Sequence, residues 1–364
     1  MRSQVAAIPS WDDEPLIDRK ARRFMGETAI YAHHALRKAI DDAKLTSAQV
    51  SDAATGLIVG SGIGSLSRYV PAIDVLRESG MKKVPPYVVP QTMASTASAS
   101  LATGFKIRGT SFTISAACAS SAHAIGQAAE LIRAGRQKIM FAGGTEEAEW
   151  TTAAAFDAMG VLSTAYNGRP QAASRPYDAG RDGFVMAGGA GMLVLEELEF
   201  AKARGAHVYA ELCGYGASSS TDMLIPSADA AAAAMRVALA DAGMGSVDYI
   251  NTHANSMVAD IAELSAIRNV FGEALPLISS TKGLSGHSLG ASGAHEAIYS
   301  LLMMQAGFIA ACANLENPDP QADGFPLVTQ CLDQPVSSVL SNSLGFGGTN
   351  ASLVFRHSGL RRQF

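Results

Sequence analysis

The chain has 364 residues, of which 48% are hydrophobic and 17% are charged, and its formal net charge is −5. This length indicates two domains or one large doubled fold, and the hydrophobic content suffices for a large core. The slight negative charge gives no reason to expect a nucleic-acid partner. No apolar run approaches the length of a membrane span, and the N-terminal residues lack the apolar core of a signal peptide, so we expect a cytoplasmic protein.

The first half of the chain alternates strand and helix patterns. Apolar runs bounded by turn residues predict strands at 55–62, 110–115 and 138–144, and patterns with helical spacing predict helices at 96–107 and 119–134. A strand, a helix and a second strand in succession form a βαβ unit, so we expect a parallel and buried sheet.

The second half repeats this order without a detectable sequence repeat. A strand–helix–strand segment at 189–216 and an alanine-rich helix at 229–243 come first. Further strands are predicted at 247–253, 275–280, 337–343 and 350–357, and further helices at 260–271 and 291–307. We therefore predict an α/β protein with two similar halves, 1–205 and 206–364, that share a core.

The chain contains four widely separated cysteines: Cys118, Cys213, Cys312 and Cys331. None belongs to a Cys-x-x-Cys pair or to a Cys/His pattern with metal-ligand spacing. We therefore expect reduced thiols, with neither a disulfide framework nor a bound metal.

The stretch SAACASSAH, residues 115–123, places Cys118 between a predicted strand and its crossover helix. Free backbone N–H groups and the positive end of the helix dipole stabilise a thiolate, so we expect a lowered pKa and a nucleophilic role. The small neighbouring residues leave room for a substrate and for a developing oxyanion. The alternative is a small buried hydrophobic residue, which is a common environment for cysteine.

Two further stretches place basic side chains at the ends of predicted strands. His253 ends the strand in YINTHANS, and Lys282 and His287 lie in STKGLSGHSLGASGAHEA, in a loop that enters a helix. Open α/β sheets hold their sites at the carboxyl ends of strands. Each histidine alone is equally consistent with a structural role, but together with Cys118 they indicate a Cys–His–His active site.

Five long motifs follow one another along the chain: SAACASSAHAIGQAAELIRAG, FDAMGVLST, SRPYDAGRDGFVMAGGAGMLVLEELE, KGLSGHSLGASGAHEAIYSLLMM and SNSLGFGGTNASLVF. In these motifs the chain, from LIDRKARRFM to its last strand, resembles the β-ketoacyl-acyl carrier protein synthases, most closely the type I enzymes of bacterial fatty-acid synthesis. The resemblance implies a thiolase-like fold, in which two similar α/β halves stack in five layers. The nucleophile would lie in the first half and the histidines in the second. The resemblance also implies a homodimer.

The resemblance also implies a ping-pong condensation. Cys118 would accept an acyl group from the phosphopantetheine of an acyl carrier protein, so that no separate cofactor is needed. His253 and His287 would donate hydrogen bonds to the thioester oxygen of the malonyl-carrier as CO2 leaves and negative charge develops there. The resulting carbanion would attack the acyl group on Cys118.

The same resemblance gives roles to further residues. The backbone N–H groups of Cys118 and Phe346 would hold the second oxyanion. Lys282 would supply positive charge, and Glu296 would orient the polar cluster. The acyl pocket is expected to include Thr96 and Met159. In this family, basic clusters dock the acidic carrier, and the corresponding residues here are Lys20, Arg22, Arg23, Lys82 and Lys83. Such clusters are equally consistent with a solvated surface.

The chain departs from the family pattern at three places. It starts after the family's glycine-containing opening strand, so either the start of the sequence is shortened or this version has lost the strand. Loss of a central strand is expected to destabilise the first sheet. The family's His-Gly-Thr-Ser-Thr reads HANSM here, which replaces two hydroxyl side chains with Asn255 and Met257 and predicts weaker binding of the malonyl donor, or a different donor. Leu344 stands where the family has a gating phenylalanine, which predicts relaxed acyl selection.

Two other functions stay open. The run Gly286-His-Ser-Leu-Gly290 matches the nucleophile elbow of α/β-hydrolases, with Ser288 followed in the chain by Asp333 and His357. The second open function is that of a non-condensing partner subunit of another synthase. The altered HANSM segment and the absence of the opening strand from this sequence are the reasons to keep it. A dinucleotide-binding oxidoreductase is excluded, since the glycines at 60, 62 and 64 do not have the required spacing.

Overall fold

The computed structural model describes residues 1–10 and 17–359. The strands are β1 (Ala6–Ala7), β2 (Thr55–Gly60), β3 (Ser111–Ile114), β4 (Ile139–Glu146), β5 (Met186–Ala187), β6 (Gly189–Glu196), β7 (Glu211–Ser219), β8 (Tyr249–Asn251), β9 (Leu277–Ser279), β10 (Ser338–Leu344) and β11 (Thr349–Arg356). The helices are α1 (Arg19–Arg22), α2 (Glu27–Asp42), α3 (Ser47–Val50), α4 (Tyr69–Ser79), α5 (Val88–Thr92), α6 (Thr96–Phe105), α7 (Ser120–Arg133), α8 (Trp150–Met159), α9 (Leu198–Ala203), α10 (Ala228–Asp241), α11 (Asp260–Phe271), α12 (Lys282–Ser285) and α13 (Ser292–Ala306).

The four strands of the first main sheet have the same order as four of the five strands of the second. In the first, β3-β2-β4-β6, strand β2 is parallel to both neighbours and β6 is antiparallel to β4. In the second, β9-β8-β10-β11-β7, strand β8 is parallel to both neighbours and β11 is antiparallel to β10 and β7. The expected parallel strands and their crossover helices are therefore present in both halves, but each sheet also contains an antiparallel strand, β6 in the first and β11 in the second.

Helices form three layers around these sheets. The crossover helices α7 and α13 pack on each other between the sheets. Helices α2 and α6 cover the outer face of the first sheet, and α10 covers the second with α11 beside it. The order helix, sheet, helix, sheet, helix confirms the five-layered arrangement of two similar halves. The boundary predicted at residue 205 lies between α9 and β7.

Small residues allow the central helices to approach closely. A Cβ atom on Gly293 of α13 would lie 2.9 Å from the backbone nitrogen of Ala122 on α7, which is too close for any other residue type at this position. The alanine, serine and glycine content of the central motifs thus serves the contact between the halves. The two helices follow β3 and β9 in the chain, and two of the candidate catalytic residues, Cys118 and His287, lie in the segments that join each strand to its helix.

The second sheet shows where the expected opening strand of the first half would be placed. Its counterpart, β7, is the edge strand beside β11. In the part of the chain that the structure describes, β6 has no strand on the corresponding side. The position is therefore at the edge of the sheet and not at its centre, which corrects the prediction from the sequence. An edge position leaves one row of backbone groups without ladder partners instead of interrupting the sheet.

The glycine-rich loop after β2 binds a carboxylate of the chain itself. The side chain of Glu146 accepts hydrogen bonds from the backbone N–H groups of Gly62, Ile63 and Gly64 at 2.6, 3.2 and 3.2 Å. Because a buried side chain occupies these donors, they are not free to bind a phosphate. This agrees with the glycine spacing, which excluded a dinucleotide-binding loop. Among the described residues, no helix has the length and apolar character needed to cross a bilayer.

Candidate active site

A strained turn presents Cys118 between β3 and α7. Ala117 has a φ of +45°, in the left-handed region that a side chain rarely adopts. The Ser120 hydroxyl holds the turn by accepting the backbone N–H of Ala116 at 2.8 Å and donating to the Ala117 carbonyl at 2.6 Å. Helix α7 begins at Ser120, so Cys118 lies just before its first turn, as the sequence predicted.

The two histidines that the sequence singled out lie beside this cysteine. The Nε2 atom of His287 is 3.1 Å from the Sγ atom of Cys118. The rings of His287 and His253 pack edge to face, with centroids 5.2 Å apart. The three side chains come from loops after β3, β8 and β9, so the Cys–His–His set assembles from the strand ends of both halves.

Burial controls the protonation of this cluster. It raises the pKa of the Cys118 thiol to about 12, although the positive charge of Lys282 and a hydrogen bond from the Phe346 backbone act in the opposite direction. The prediction of a lowered pKa is therefore wrong, because the loss of hydration outweighs the nearby positive groups. Burial and then Lys282 hold the pKa values of His253 and His287 well below the usual value, so both rings are neutral.

Lys282 and Glu296 form a buried ion pair behind the histidines. The ammonium group of Lys282 contacts the carboxylate of Glu296, and both residues are 1% exposed. The Lys282 backbone carbonyl accepts the Ser174 hydroxyl at 2.6 Å, which fixes the start of α12. A charge buried in this way is tolerated only when it is paired. The pair has no net charge, but its positive end acts more strongly on Cys118 than its negative end.

Two carboxylates on α11 hold the altered HANSM segment, and the sequence analysis missed them. Glu263 accepts the backbone N–H groups of His253 and Ala254 at 2.9 and 3.0 Å. Asp260 accepts those of the next three residues at 3.0 to 3.2 Å. All five backbone N–H groups are thus bound by the two carboxylates, so the loop is held through its backbone. The sequence signal is the pair of acids, three residues apart, in the first turn of α11.

A cavity connects the cluster to the surface and includes most of the predicted substrate-binding residues. Cys118, His253 and His287 line it together with Asn255, Met257, Leu344 and Phe346. Thr96 and Met159 do not line this cavity. Thr96 is buried at the start of α6, and Met159 is 46% exposed at the end of α8. The structure of the single chain therefore does not bring these two residues to the nucleophile.

The basic residues expected to dock a carrier are all exposed. They lie on α1, just after it, and on the short turn at residues 81–83: Lys20, Arg22, Arg23, Lys82 and Lys83. The guanidinium of Arg23 packs on the rings of Phe24 and Tyr87, 4.6 and 5.2 Å from their centroids. The two clusters, far apart in sequence, thus belong to neighbouring surface segments.

The hydrolase alternative is wrong. Ser288 is 3% exposed, and its hydroxyl bonds to His295 and Ser292 and not to His357. Asp333 is exposed in the segment before β10, and the ring of His357 accepts the backbone N–H of Gly359. Ser288 also does not line the cavity. A buried serine without access to substrate cannot act as a nucleophile.

The same three side chains have the composition of a metal site. The ligand atoms of Cys118, His253 and His287 all lie within 4.8 Å of one another. A thiolate and two imidazoles suit zinc, and an ion bound here would occupy the sulfur lone pairs that a nucleophile needs. Metal binding and nucleophilic catalysis are therefore mutually exclusive at this position.

Comparisons with known proteins agree with this geometry. Two family models match, the beta-ketoacyl synthase N-terminal domain over residues 8–201 and the beta-ketoacyl synthase C-terminal domain over residues 209–316. The chain is 52% identical to 3-oxoacyl-[acyl-carrier-protein] synthase 1 of Haemophilus influenzae, over 98% of this chain and 88% of that protein. It is 53% identical to the protein of the same name from Escherichia coli, over the same shares.

Solved structures show the same fold. A crystal structure of a beta-ketoacyl synthase from Burkholderia phymatum superposes with a TM-score of 0.92 at 37% identity and covers 99% of this chain and 89% of its own. A type II PKS acyl-carrier protein in complex with its ketosynthase contains a chain that superposes with a TM-score of 0.85 at 30% identity, covering 92% of this chain and 86% of its own. The thiolase-like fold predicted from the motifs is confirmed, and the chain belongs to the β-ketoacyl synthase family.

Proposed function

We propose that this chain condenses an acyl group held on Cys118 with malonyl-acyl carrier protein, releasing CO2 and forming 3-oxoacyl-acyl carrier protein for fatty-acid elongation. The observation that carries the proposal is the 3.1 Å contact between the Cys118 sulfur and the His287 ring, in a cavity that His253 also lines. A nucleophile with two neutral imidazoles beside it provides what both steps of such a reaction need.

In the first step, the Cys118 sulfur attacks the acyl thioester of the carrier. The neutral Nε2 atom of His287 is placed to take the thiol proton, which offsets the raised pKa of the thiol. The backbone N–H of Phe346 already points at this sulfur and would stabilise the oxyanion of the tetrahedral intermediate. The acyl group is then attached to Cys118 and the carrier leaves as a thiol.

In the second step, the malonyl-carrier loses CO2 and its α-carbon attacks the acyl-Cys118 thioester. His253 and His287 would each donate a hydrogen bond to the oxygen of the malonyl thioester, where negative charge develops. Neutral donors suit this role because they stabilise the enolate without protonating its carbon. The buried Lys282–Glu296 pair lies behind the rings and adds a fixed field.

The residues that depart from the family pattern line the path of the substrate. Asn255, Met257 and Leu344 all face the cavity that leads to Cys118. Met257 packs against an apolar cluster that contains Phe184 and Leu289, so it cannot provide the hydroxyl that the family uses there. The malonyl arm would therefore bind more weakly, while the hydrogen bond from the His253 backbone to the Glu263 carboxylate keeps His253 in place.

The partner is proposed to be an acyl carrier protein, docked by Lys20, Arg23, Lys82 and Lys83. These side chains are exposed in a chain of net negative charge, so they form a local positive surface for an acidic protein. A related ketosynthase has been seen in complex with its own acyl-carrier protein. No separate cofactor is proposed, because the phosphopantetheine would arrive on the carrier, and the reaction would take place in the cytoplasm.

We further propose a homodimer in which two copies pair through β3. This strand is the outer strand of the first sheet, and its residue Phe112 is 40% exposed. An exposed edge strand with a large apolar side chain is a favourable surface for strand pairing with a second copy.

The test is a condensation assay with purified acyl-carrier and malonyl-carrier, in which mass spectrometry follows both the 3-oxoacyl product and the acylated chain. The unmodified chain should form the product, and His253→Ala should be acylated normally but form product roughly a hundredfold more slowly, because a single oxyanion donor is lost. An unmodified chain that is acylated but makes no product is instead a non-condensing partner subunit.

A further inference from the structure

A continuous hydrogen-bonded chain runs from the nucleophile away from the cavity. After the 3.1 Å contact between Cys118 Sγ and His287 Nε2, the Nδ1 atom of His287 is 2.9 Å from the Ser292 hydroxyl. That hydroxyl is 3.3 Å from the hydroxyl of Ser288, which is 2.8 Å from Nδ1 of His295. Each contact joins groups that can both donate and accept a proton.

The local structure explains why these groups line up. Residues 288, 292 and 295 have the spacing of one helix face across the turn that leads into α13. Ser288 and Ser292 are 3% and 2% exposed, so water does not compete for their hydroxyl groups. The serine of the GHSLG run, which has no role as a hydrolase nucleophile, is a central member of this chain.

The far end of the chain is closer to solvent. His295 is half-buried, in contrast to His287, which is 2% exposed. Its ring fits against Gly189 and Gly191 of β6, where a Cβ atom would lie only 3.2 and 3.1 Å from ring atoms. Burial lowers the pKa of the His295 ring, although a hydrogen bond to the backbone of Ala190 acts in the opposite direction. The ring is therefore neutral at rest and, being only half-buried, can take up a proton from Ser288 and pass one to solvent.

The proposed reaction requires His287 to play opposite parts in its two steps. In acyl transfer, Nε2 must accept the thiol proton of Cys118, and in condensation it must donate to the malonyl thioester oxygen. A neutral imidazole has one proton and cannot do both in one tautomer. Carrying a second proton is unfavourable here, because burial and the charge of Lys282 depress the pKa of His287.

We propose that Ser292, Ser288 and His295 form a proton relay that reverses the tautomer of His287 twice in each turnover. The inference rests on the proposed condensing function and deepens it. These three residues touch neither substrate nor nucleophile and act through His287, so they are positioning residues.

The protons balance in both steps. When Cys118 attacks the acyl thioester, its proton passes to Nε2 of His287, the Nδ1 proton passes to Ser292, and successive transfers through Ser288 and Nδ1 of His295 release one proton from Nε2 of His295 to solvent. The departing carrier thiolate takes one proton from solvent. His287 now holds its proton on Nε2, ready to donate to the malonyl thioester.

Condensation reverses the relay. The new carbon–carbon bond forms, the carbon–sulfur bond to Cys118 breaks, and the electron pair stays on the sulfur. Nε2 of His287 gives its proton to the sulfur, and the relay refills Nδ1 from solvent through His295, Ser288 and Ser292. The sum is one proton consumed per turnover, as the overall reaction requires when a carboxylate leaves as CO2 and the carrier leaves as a thiol.

The test compares kcat and its solvent deuterium isotope effect in the full chain and in Ser288→Ala, Ser292→Ala and His295→Asn. Each variant should lower kcat at least about tenfold, with KM for both carriers unchanged, because none of these residues lines the cavity. In mixtures of H2O and D2O, kcat of the unmodified chain should curve with deuterium content, since several protons move together, and the variants should give a straight line.

Ser300→Ala is the matched control. Ser300 is a fully buried serine on the same helix, and its hydroxyl has no partner among the described residues. It should keep both kcat and the curvature. His295→Asn changes a half-buried residue and keeps the relay testable if a buried serine variant does not fold. Retained kcat and curvature in folded relay variants would overturn the relay, whereas no condensation by the unmodified chain would instead remove the proposed function.

Discussion

The carboxylate of Glu263 accepts the backbone N–H of His253 at 2.9 Å and, with its second oxygen, that of Ala254 at 3.0 Å. The amide of Asn342 donates to the same carboxylate at 3.1 Å. A buried acid on α11 therefore positions the HANSM loop through its backbone. This explains how HANSM differs in side chains from the family pattern without displacing His253.

Glu263 should make the stability of the chain depend on pH. Burial raises the pKa of Glu263 from 4.5 to about 7, so the folded chain holds a proton that the unfolded chain has already lost. Stability should therefore fall as pH rises from 4.5 to 7, by about 3 kcal/mol from this group. In Glu263→Gln, which has no such proton, urea unfolding between pH 5 and 8 should show a correspondingly smaller fall.

The control for this prediction is Glu130→Gln, which changes an exposed glutamate on α7. It should keep the pH dependence of the unmodified chain. An equal fall in stability for Glu263→Gln and the unmodified chain would show that Glu263 does not titrate differently in the folded state.

Lys282 should promote the reactivity of Cys118. Its positive charge is the largest of the influences that lower the pKa of the thiol. Lys282→Met should therefore slow alkylation of Cys118 by iodoacetamide at pH 8, by about tenfold for each unit by which the pKa rises. Because this variant leaves Glu296 buried and unpaired, the double variant Lys282→Met with Glu296→Gln provides a second test with no buried charge.

Lys202→Met serves as the control for that experiment, since Lys202 is an exposed lysine paired with Glu199. Its alkylation rate should match that of the unmodified chain. If the two Lys282 variants fold and react at this same rate, Lys282 has no electrostatic effect on the nucleophile.

Met257 should weaken the binding of the malonyl donor. Its side chain lines the cavity and offers only a thioether. Met257→Thr should lower KM for malonyl-carrier about fivefold, which is the effect of one net hydrogen bond of about 1 kcal/mol. The neighbouring Val258→Thr adds a hydroxyl at a residue that is 81% exposed and should leave KM unchanged. Equal KM values for all three chains would exclude Met257 from donor binding.

Phe112 should hold the proposed dimer together. Replacing it with glutamate places a charge on the exposed edge of β3 and should shift the chain to monomers, as measured by light scattering during gel filtration. Val237→Glu changes a residue that is 50% exposed on α10 and should not alter the mass. A monomeric unmodified chain, or a Phe112→Glu dimer of undiminished stability, would contradict pairing through β3.

Much of the fold could be predicted from the sequence. The strands at β2, β4 and β10 and the helices α7, α11 and α13 lie within a few residues of their predicted bounds, because alternating apolar patterns and glycine stops are local signals. Helix α2 was not predicted. The position of the family's opening strand was misjudged because strand order within a sheet depends on long-range pairing, which no local pattern reveals.

The candidate site was less predictable in its physical chemistry than in its residues. That Cys118, His253 and His287 meet follows from strand ends that share one edge of each sheet. The raised pKa of Cys118 could not be foreseen, because it depends on how completely the other half covers the turn. The roles of Glu263 and Ser288 were missed although their partners are close in sequence, because the partners are set by the orientation of side chains within a loop or turn.

The most direct test of the central claim is intact-protein mass spectrometry after mixing the chain with acyl-carrier protein and then with malonyl-carrier. The account predicts one acyl adduct, absent in Cys118→Ala, that disappears when malonyl-carrier is added and 3-oxoacyl-carrier forms. A folded chain that takes up no acyl group, or an adduct that persists in Cys118→Ala, would contradict the assignment of Cys118 as the nucleophile.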